Sequence, residues 1–386
     1  MIQFANRLQS VQEYYFSKKL KEVRQLISEG KPIINIGIGS PDLAPPTSVI
    51  DAITQSVSEQ NTHQYQSYQG IEAFRNAIAS FYQSNYNVAI NPSNEVLPLM
   101  GSKEGIMHIS LALLNEEDGV LIPNPGYPTY SAVTNLIGAK PIYYSLTEDN
   151  KYQPNFDELE NLDLSKVKLM WVNYPHMPTG AKGTQETLQK LIAFGKKHQI
   201  VIVNDNPYSF ILNDNPTSIL SIPGAKDIAL ELNSLSKSFN MAGWRVGMLL
   251  GNSEFLTEIL KVKTQMDSGM FLGIQKGAIK ALEQPKDWFN SINSIYEIRR
   301  NLVWKLAESL HCTYDKNTAG MFVWAKLPEG ITSEEMVDKL LYTYHLFVAP
   351  GTIFGDLGKG YIRFSLCVPE EKIKEATNRI LNNETA

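Results

Sequence analysis

Ile200-Val-Ile-Val-Asn-Asp205-Asn-Pro-Tyr208 is a β-branched hydrophobic run that ends in a carboxylate and meets a proline two residues later. A run this short and this apolar reads as a strand covered on both faces. The segments 95–100, 119–123, 168–173 and 228–232 repeat the pattern. Between them, Ile106, Ile109, Leu113 and Leu114 recur at helical spacing, and Leu188, Leu191 and Ile192 begin the same series. Alternation of this kind predicts an α/β fold, a large and mostly parallel sheet flanked by helices. After about Glu283 the texture changes. A long helical stretch runs through Arg299 and Arg300, and short strands are expected around 321–326 and 361–367. Thr332-Ser-Glu-Glu335 is a capping box ahead of Val337, Leu340, Leu341 and Tyr344, and Pro369 precedes Ile373, Ala376, Ile380 and Leu381. We therefore expect a large domain over 48–285, and a smaller α+β domain from 286–386 joined by 1–47 with its N-terminal arm.

The composition narrows the function classes. At 386 residues, 43% hydrophobic and 19% charged, the chain can bury a substantial core. Thirty-five Lys and Arg against 40 Asp and Glu give a net charge of -5, with no basic block to track a phosphate backbone. No nucleic-acid partner is expected, and no membrane partner, since no run is apolar for the roughly 18 residues a span needs. Cys312 and Cys367 are the only cysteines, too far apart for a CxxC pair, which fits a cytoplasmic address. The 6 histidines show no i,i+4 pair and no neighbouring cysteine, so no metal is expected.

In a parallel α/β sheet, ligands bind beyond the carboxyl ends of the strands, so the residues just after each apolar run carry the chemistry. The strand at 95–100 runs into Gly101-Ser102-Lys103, which is either a plain strand-to-helix turn or a phosphate cradle at a helix N-terminus. Pro123-Asn-Pro-Gly-Tyr127-Pro-Thr-Tyr130 is a stiff loop whose Tyr127 either packs or stacks on an aromatic ligand. Asp205 either caps a turn or sits as an anion beside a protonated ring nitrogen, with Tyr208 three residues on. Lys237 and Arg245 lie eight apart in Ser234-Leu-Ser-Lys-Ser-Phe-Asn-Met-Ala-Gly-Trp-Arg-Val-Gly247, a Ser-rich loop whose amine either meets solvent or holds an aldehyde cofactor covalently. Arg363 falls inside the apolar strand Tyr361-Ile-Arg-Phe-Ser-Leu, where a guanidinium without a partner is costly and an anion is expected.

Taken in order along the chain, these motifs resemble the class I/II pyridoxal-phosphate-dependent aminotransferases of the type I fold, from about Ile34 to Phe364. The Gly-Ser-Lys-Glu104-Gly turn and the Tyr65-Gln-Ser-Tyr-Gln-Gly70 run are similar to the subgroup of diaminopimelate and broad-range aminotransferases. The resemblance implies that Lys237 binds pyridoxal 5'-phosphate as a Schiff base and shuttles the proton at the substrate α-carbon. It implies that Asp205 keeps the pyridine nitrogen protonated, Tyr208 donates to the phenolic oxygen and Tyr127 stacks on the ring. Ser102, the Lys103 backbone N–H, Ser234 and Arg245 would grip the phosphate. Tyr65 would reach the phosphate in a neighbouring subunit, hence a homodimer. Arg363 would clamp the substrate α-carboxylate, with Gly39 of Gly37-Ile-Gly-Ser-Pro-Asp42 allowing close backbone approach. The implied reaction moves an amino group between an L-amino acid and a 2-oxo acid by ping-pong chemistry. A β-eliminating C–S lyase and a non-catalytic cofactor-binding protein are the alternatives on the same scaffold.

One departure from the family pattern stands out. The family has Asn before Pro-Thr-Gly, touching the cofactor's phenolic oxygen, whereas this chain reads Tyr174-Pro-His176-Met177-Pro-Thr-Gly180. A thioether cannot donate that hydrogen bond. Tyr208, with His176 or water, is then expected to carry the load, and the weaker support should raise the pKa of the lysine–cofactor linkage. For the side-chain pocket, Tyr15, Phe16, Tyr68, Met270 and Phe271 either line an apolar or aromatic pocket or belong to ordinary core, and the subgroup resemblance implies a neutral, aromatic or diamino acid donor.

Overall fold

A seven-stranded sheet forms the centre of the computed structural model, which describes residues 3–8 and 15–384, with side chains for 3–8 and 17–382. In spatial order its strands are Val96–Leu99, Gly247–Leu250, Ala229–Ser234, Val201–Asp205, Val167–Val172, Gly119–Asn124 and Lys140–Ser145. All neighbours are parallel except where Gly247–Leu250 inserts antiparallel to both of its neighbours. The expected fold class holds, with each of the five anticipated strands displaced by a residue or two at most at either end. Two strands were not anticipated. Lys140–Ser145 is an edge strand in which only Tyr144 is fully buried, and Gly247–Leu250 is four residues opened by glycine, too short to register as a period.

The helices follow local signals. Thr184 accepts from the Thr187 N–H at 3.0 Å to cap Gln185–His198, and the Thr332/Glu335 capping box is present at the start of Ser333–Tyr344. Leu188, Leu191 and Ile192 are buried as their spacing predicts. Two expectations shift. Helix Ser102–Leu113 stops one residue short of Leu114, which is extended, and Leu381 is 46% exposed at the end of Glu370–Glu384 while Ile373, Ala376 and Ile380 are buried.

A four-stranded sheet of Ala349–Pro350, Tyr361–Ser365, Phe322–Lys326 and Thr313–Tyr314 packs with the long helix Lys286–Ser309. Ile34–Asn35 pairs in parallel with Leu346–Phe347, so an early segment of the chain is stitched to a late one. Buried Arg299 in the long helix donates to both oxygens of Asp42, at 2.7 and 2.9 Å, fixing the Gly37 to Asp42 segment. That bidentate pair holds the segment's backbone where the functional cavity needs it. Among the described residues, no helix is long and apolar enough to cross a membrane.

Candidate active site

Six strands of the large sheet run the same way and end on one rim, and Gly247 starts the antiparallel strand from that rim, opposite Leu99 and Ser234. The loops leaving the rim, closed from the other side by Gly39 and by residues of the four-stranded sheet and its loops, enclose a cavity of about 310 Å³. Gly39, Ser102, Lys103, Tyr127, Asp205, Tyr208, Ser234, Lys237, Arg245 and Arg363 all line it. Tyr65 does not: its side chain is 90% exposed on the surface.

Asp205 closes its strand and is 6% exposed. Its Oδ2 accepts from the Tyr130 hydroxyl at 2.9 Å, while its Oδ1 is buried with no hydrogen-bond partner among the described residues. Burial outweighs the Tyr130 hydrogen bond and the nearby Lys237 charge, raising the carboxyl to about 6. A carboxylate this poorly compensated calls for a cation or donor at Oδ1. Tyr130 is itself stacked on Trp171, ring centroids 4.8 Å apart and planes within 5°, and its edge meets Tyr127. Asn173 donates to the Asp205 backbone oxygen and accepts from the Met177 N–H, tying two rim loops together.

Lys237 sits in a one-turn helix, Leu235–Ser238, rather than the open loop its serines suggest. Ser234 caps that turn by accepting from the Ser236 N–H at 3.1 Å. The Lys237 amine donates to the Gly39 carbonyl at 2.5 Å, and burial lowers its pKa. Desolvation disfavours the ammonium, so a neutral, nucleophilic amine becomes accessible.

Gly101 adopts φ 87° and ψ 150°, a backbone region essentially reserved for glycine. A Cβ there would stand 2.3 Å from Arg245 Nη2, so the guanidinium lies directly over the turn that opens helix Ser102–Leu113. Backbone N–H groups, the helix dipole and a cation thus face one point, an anion cradle. Gly101→Ala combines strain of about 1–3 kcal/mol with that steric conflict. We expect it to weaken binding of the cofactor at least tenfold, read by fluorescence titration of the stripped protein.

Arg363 is 6% exposed. Its Nη2 donates to the Gly37 carbonyl at 2.8 Å and its Nη1 to Met177 Sδ at 3.2 Å, while the rings of Phe322 and Phe354 lie 3.9 and 4.7 Å from its guanidinium carbon. A carbonyl, a thioether and two π faces are thus among the groups that hold the guanidinium in place at the cavity wall, in a geometry suited to bidentate contact with a carboxylate. Gly39 lies against the Phe322 ring at the cavity wall: a Cβ on it would strike that ring at 2.3 Å.

Several other candidate residues stand apart from this cavity. His176 is buried and does not line the cavity; its Nδ1 pairs with Thr179 Oγ1 at 2.8 Å, and burial pulls its pKa down to about 3. Tyr68, Met270 and Phe271 are also absent from the lining; Phe271 instead stacks near His63. The side chains of Tyr15 and Phe16 lie outside the described residues. Lining residues that the sequence does not single out include Tyr130, Asn173, Phe322, Ile353 and Phe354. Tyr130 was within the quoted loop, and its three-residue offset from Tyr127 at a helix start was the available signal.

Comparison with known proteins points the same way as this geometry. The family model described as aminotransferase class I and II matches residues 31–380. An LL-diaminopimelate aminotransferase of Aquifex aeolicus is 38% identical over 384 residues, covering 99% of each chain. Among solved structures, substrate-bound BacF from Bacillus subtilis superposes with a TM-score of 0.94 at 34% identity, covering 99% of this chain and 98% of that one. A probable N-succinyldiaminopimelate aminotransferase from Thermus thermophilus gives 0.88 at 31% identity, covering 95% and 99%.

Proposed function

Because this chain belongs to the class I and II aminotransferases, pyridoxal-phosphate-dependent enzymes of amino acid metabolism, we propose that the cavity residues divide the work of transamination as follows. The cavity's own features fit the cofactor: a buried amine of lowered pKa, an Asp205 oxygen awaiting a donor, and a turn whose Gly101 leaves room beneath Arg245. When bound, pyridoxal phosphate supplies a sink for the electron pair left at the substrate α-carbon. Lys237 would hold the cofactor covalently, and its amine, in the neutral form, would take and return the proton at the substrate α-carbon. Asp205 keeps the ring nitrogen protonated, and Tyr130 orients Asp205. Tyr208 donates to the phenolic oxygen and Tyr127 covers the ring. Ser102, the Lys103 N–H, Ser234 and Arg245 bind the phosphate. Arg363 holds the substrate α-carboxylate, with Gly39 giving the close approach.

The convergence of Lys237, Asp205 and Arg363 on one cavity carries this reading. For the donor we propose an amino acid with a neutral, apolar or aromatic side chain. Apart from Lys103 in the phosphate turn and the charged groups already assigned, the wall includes Tyr127, Phe322, Ile353 and Phe354, with no further charged side chain among the described residues. A second reading, LL-diaminopimelate, rests on the names of the relatives. Oxo-acid production from the twenty amino acids and LL-diaminopimelate, each with 2-oxoglutarate, separates them. Release of ammonia and pyruvate from cystathionine without an oxo acid would instead mark a C–S lyase and overturn the reading.

The exposed Tyr65 supports a homodimer in which it meets the partner's phosphate; a fully active monomer would contradict that. We further propose domains at 48–285 and at 1–47 with 286–386, supported by the separation of the seven-stranded sheet from the four-stranded one, and a cytoplasmic enzyme without nucleic-acid or membrane partners, supported by the charge balance. Met177 engages Arg363 and cannot donate to the phenolic oxygen. The absorbance of the bound cofactor should therefore titrate at higher pH in the wild type than in Met177→Asn. Equal titration points would refute the assignment.

A further inference from the structure

Behind the phosphate-facing turn, three side chains that the reaction does not use converge. Glu104 and His108 stand one turn apart on helix Ser102–Leu113, and Asp267 joins them from the segment after helix Ser253–Lys263; one donor atom of each lies within 4.8 Å of the others. His108 is 2% exposed, and neither ring nitrogen has a hydrogen-bond partner among the described residues; the nearest carboxylate, Glu104 Oε1, is 3.8 Å from its Nε2. Asp267 Oδ2 is likewise buried and unpartnered. Its other oxygen is fixed by Lys263 Nζ at 2.9 Å and by the Gly269 N–H at 2.8 Å. Leaving an imidazole and a carboxylate oxygen both buried and unsatisfied is costly, and a common neighbour would relieve both.

We propose that Glu104, His108 and Asp267 bind one divalent first-row transition cation, for which zinc is the best-matched probe. One imidazole nitrogen with two carboxylate oxygens suits zinc better than the all-oxygen cages of calcium or magnesium, and three protein ligands leave a fourth position for water. Ligand atoms about 2.0–2.2 Å from zinc stand about 3.3–3.6 Å apart, so the cluster must contract by roughly an ångström, within the reach of Glu104's side-chain torsions. Lys263 does not bar the ion, because it occupies the opposite oxygen of Asp267 and orients that carboxylate, as outer partners of metal ligands do. A search for paired histidines overlooks such a site, since its second ligand is a carboxylate one turn earlier and its third lies far along the chain.

The position gives the ion something to do. Glu104 Oε1 also accepts from the Met100 N–H at 2.6 Å, at the mouth of the Gly101 turn, and Lys263 also donates to the Tyr68 carbonyl at 2.9 Å. A cation would clasp the phosphate turn to the 263–269 segment and, through Lys263, to the strand of chain that follows Tyr65. It should raise the melting temperature and slow cofactor loss.

Chelator-treated, desalted holoenzyme titrated with zinc alone should take up one ion per chain with micromolar or tighter affinity. Cobalt in its place should give d–d absorption to the red of the cofactor band. His108→Leu and Asp267→Asn should each weaken zinc roughly tenfold or more and abolish the cobalt bands, while the cofactor's own absorbance reports that the variants are folded. Zinc uptake only at millimolar concentration, or affinity and cobalt spectra unchanged in both variants, would overturn the proposal. Should both variants fail to fold, wild-type cobalt bands indicating nitrogen ligation would support it, and their absence would overturn it.

Discussion

Lys237→Ala is expected to abolish transamination, lowering kcat by more than about 10⁴-fold, since it removes the proposed nucleophile and proton carrier together. No other amine stands ready. Lys103 lines the cavity but belongs to the phosphate turn, and the alanine variant opens a gap beside the Gly39 carbonyl that Lys237 now occupies. The bound cofactor should become removable by simple dialysis, and its absorbance should match the free aldehyde. Retained covalent attachment after borohydride treatment, read by mass spectrometry, would show that another residue holds it.

Asp205→Asn should lower kcat/KM on the order of 10³-fold, because a neutral amide no longer stabilises a protonated ring nitrogen as charge develops. A second signature needs no substrate. Burial raises the Asp205 carboxyl from 3.8 to about 6, so without cofactor the folded protein binds more protons than the unfolded chain across that interval. Stability is then complete below the lower value and lost as pH rises through the upper one, by about 3 kcal/mol. Denaturant titrations of the cofactor-free protein between pH 4 and 7 should show this decline in the wild type and a flatter profile in Asp205→Asn. A wild-type profile as flat as the variant's would remove the case for a strained carboxylate.

Asp205, Lys237, Arg245 and Arg363 were legible because each stands where local sequence already constrains it: at a strand end, eight residues apart across one turn, or inside an apolar strand. Tyr130 and Asn173 were not, since their value comes from meeting Asp205 across loops that only the folded rim brings together. For Arg363 the apolar strand pointed to partners but not to their kind, and those it meets include a carbonyl, the Met177 sulfur and aromatic rings, which no charge pattern announces. The strand at Lys140–Ser145 escaped because an edge has no need of a continuous apolar run, and Gly247–Leu250 because its direction is set by its neighbours. Tyr68, Met270 and Phe271 stand away from this chain's own cavity, and aromatic and sulfur side chains carry no local signal that tells a cavity wall from ordinary packing.

The antiparallel strand has a consequence for how the enzyme holds and loses its cofactor. With Ser234 paired to Gly247, residues 235–246 leave the sheet and return to it at the same rim, a loop closed at its base. Lys237 sits on its outgoing arm and Arg245 on its returning arm, so one ligand would cross-link both arms, by a covalent bond at one end and an ion pair at the other. Opening of this loop and escape of the cofactor then become a single cooperative event. Amide exchange across 235–246 should slow in concert when the cofactor binds, with both arms gaining protection by the same factor.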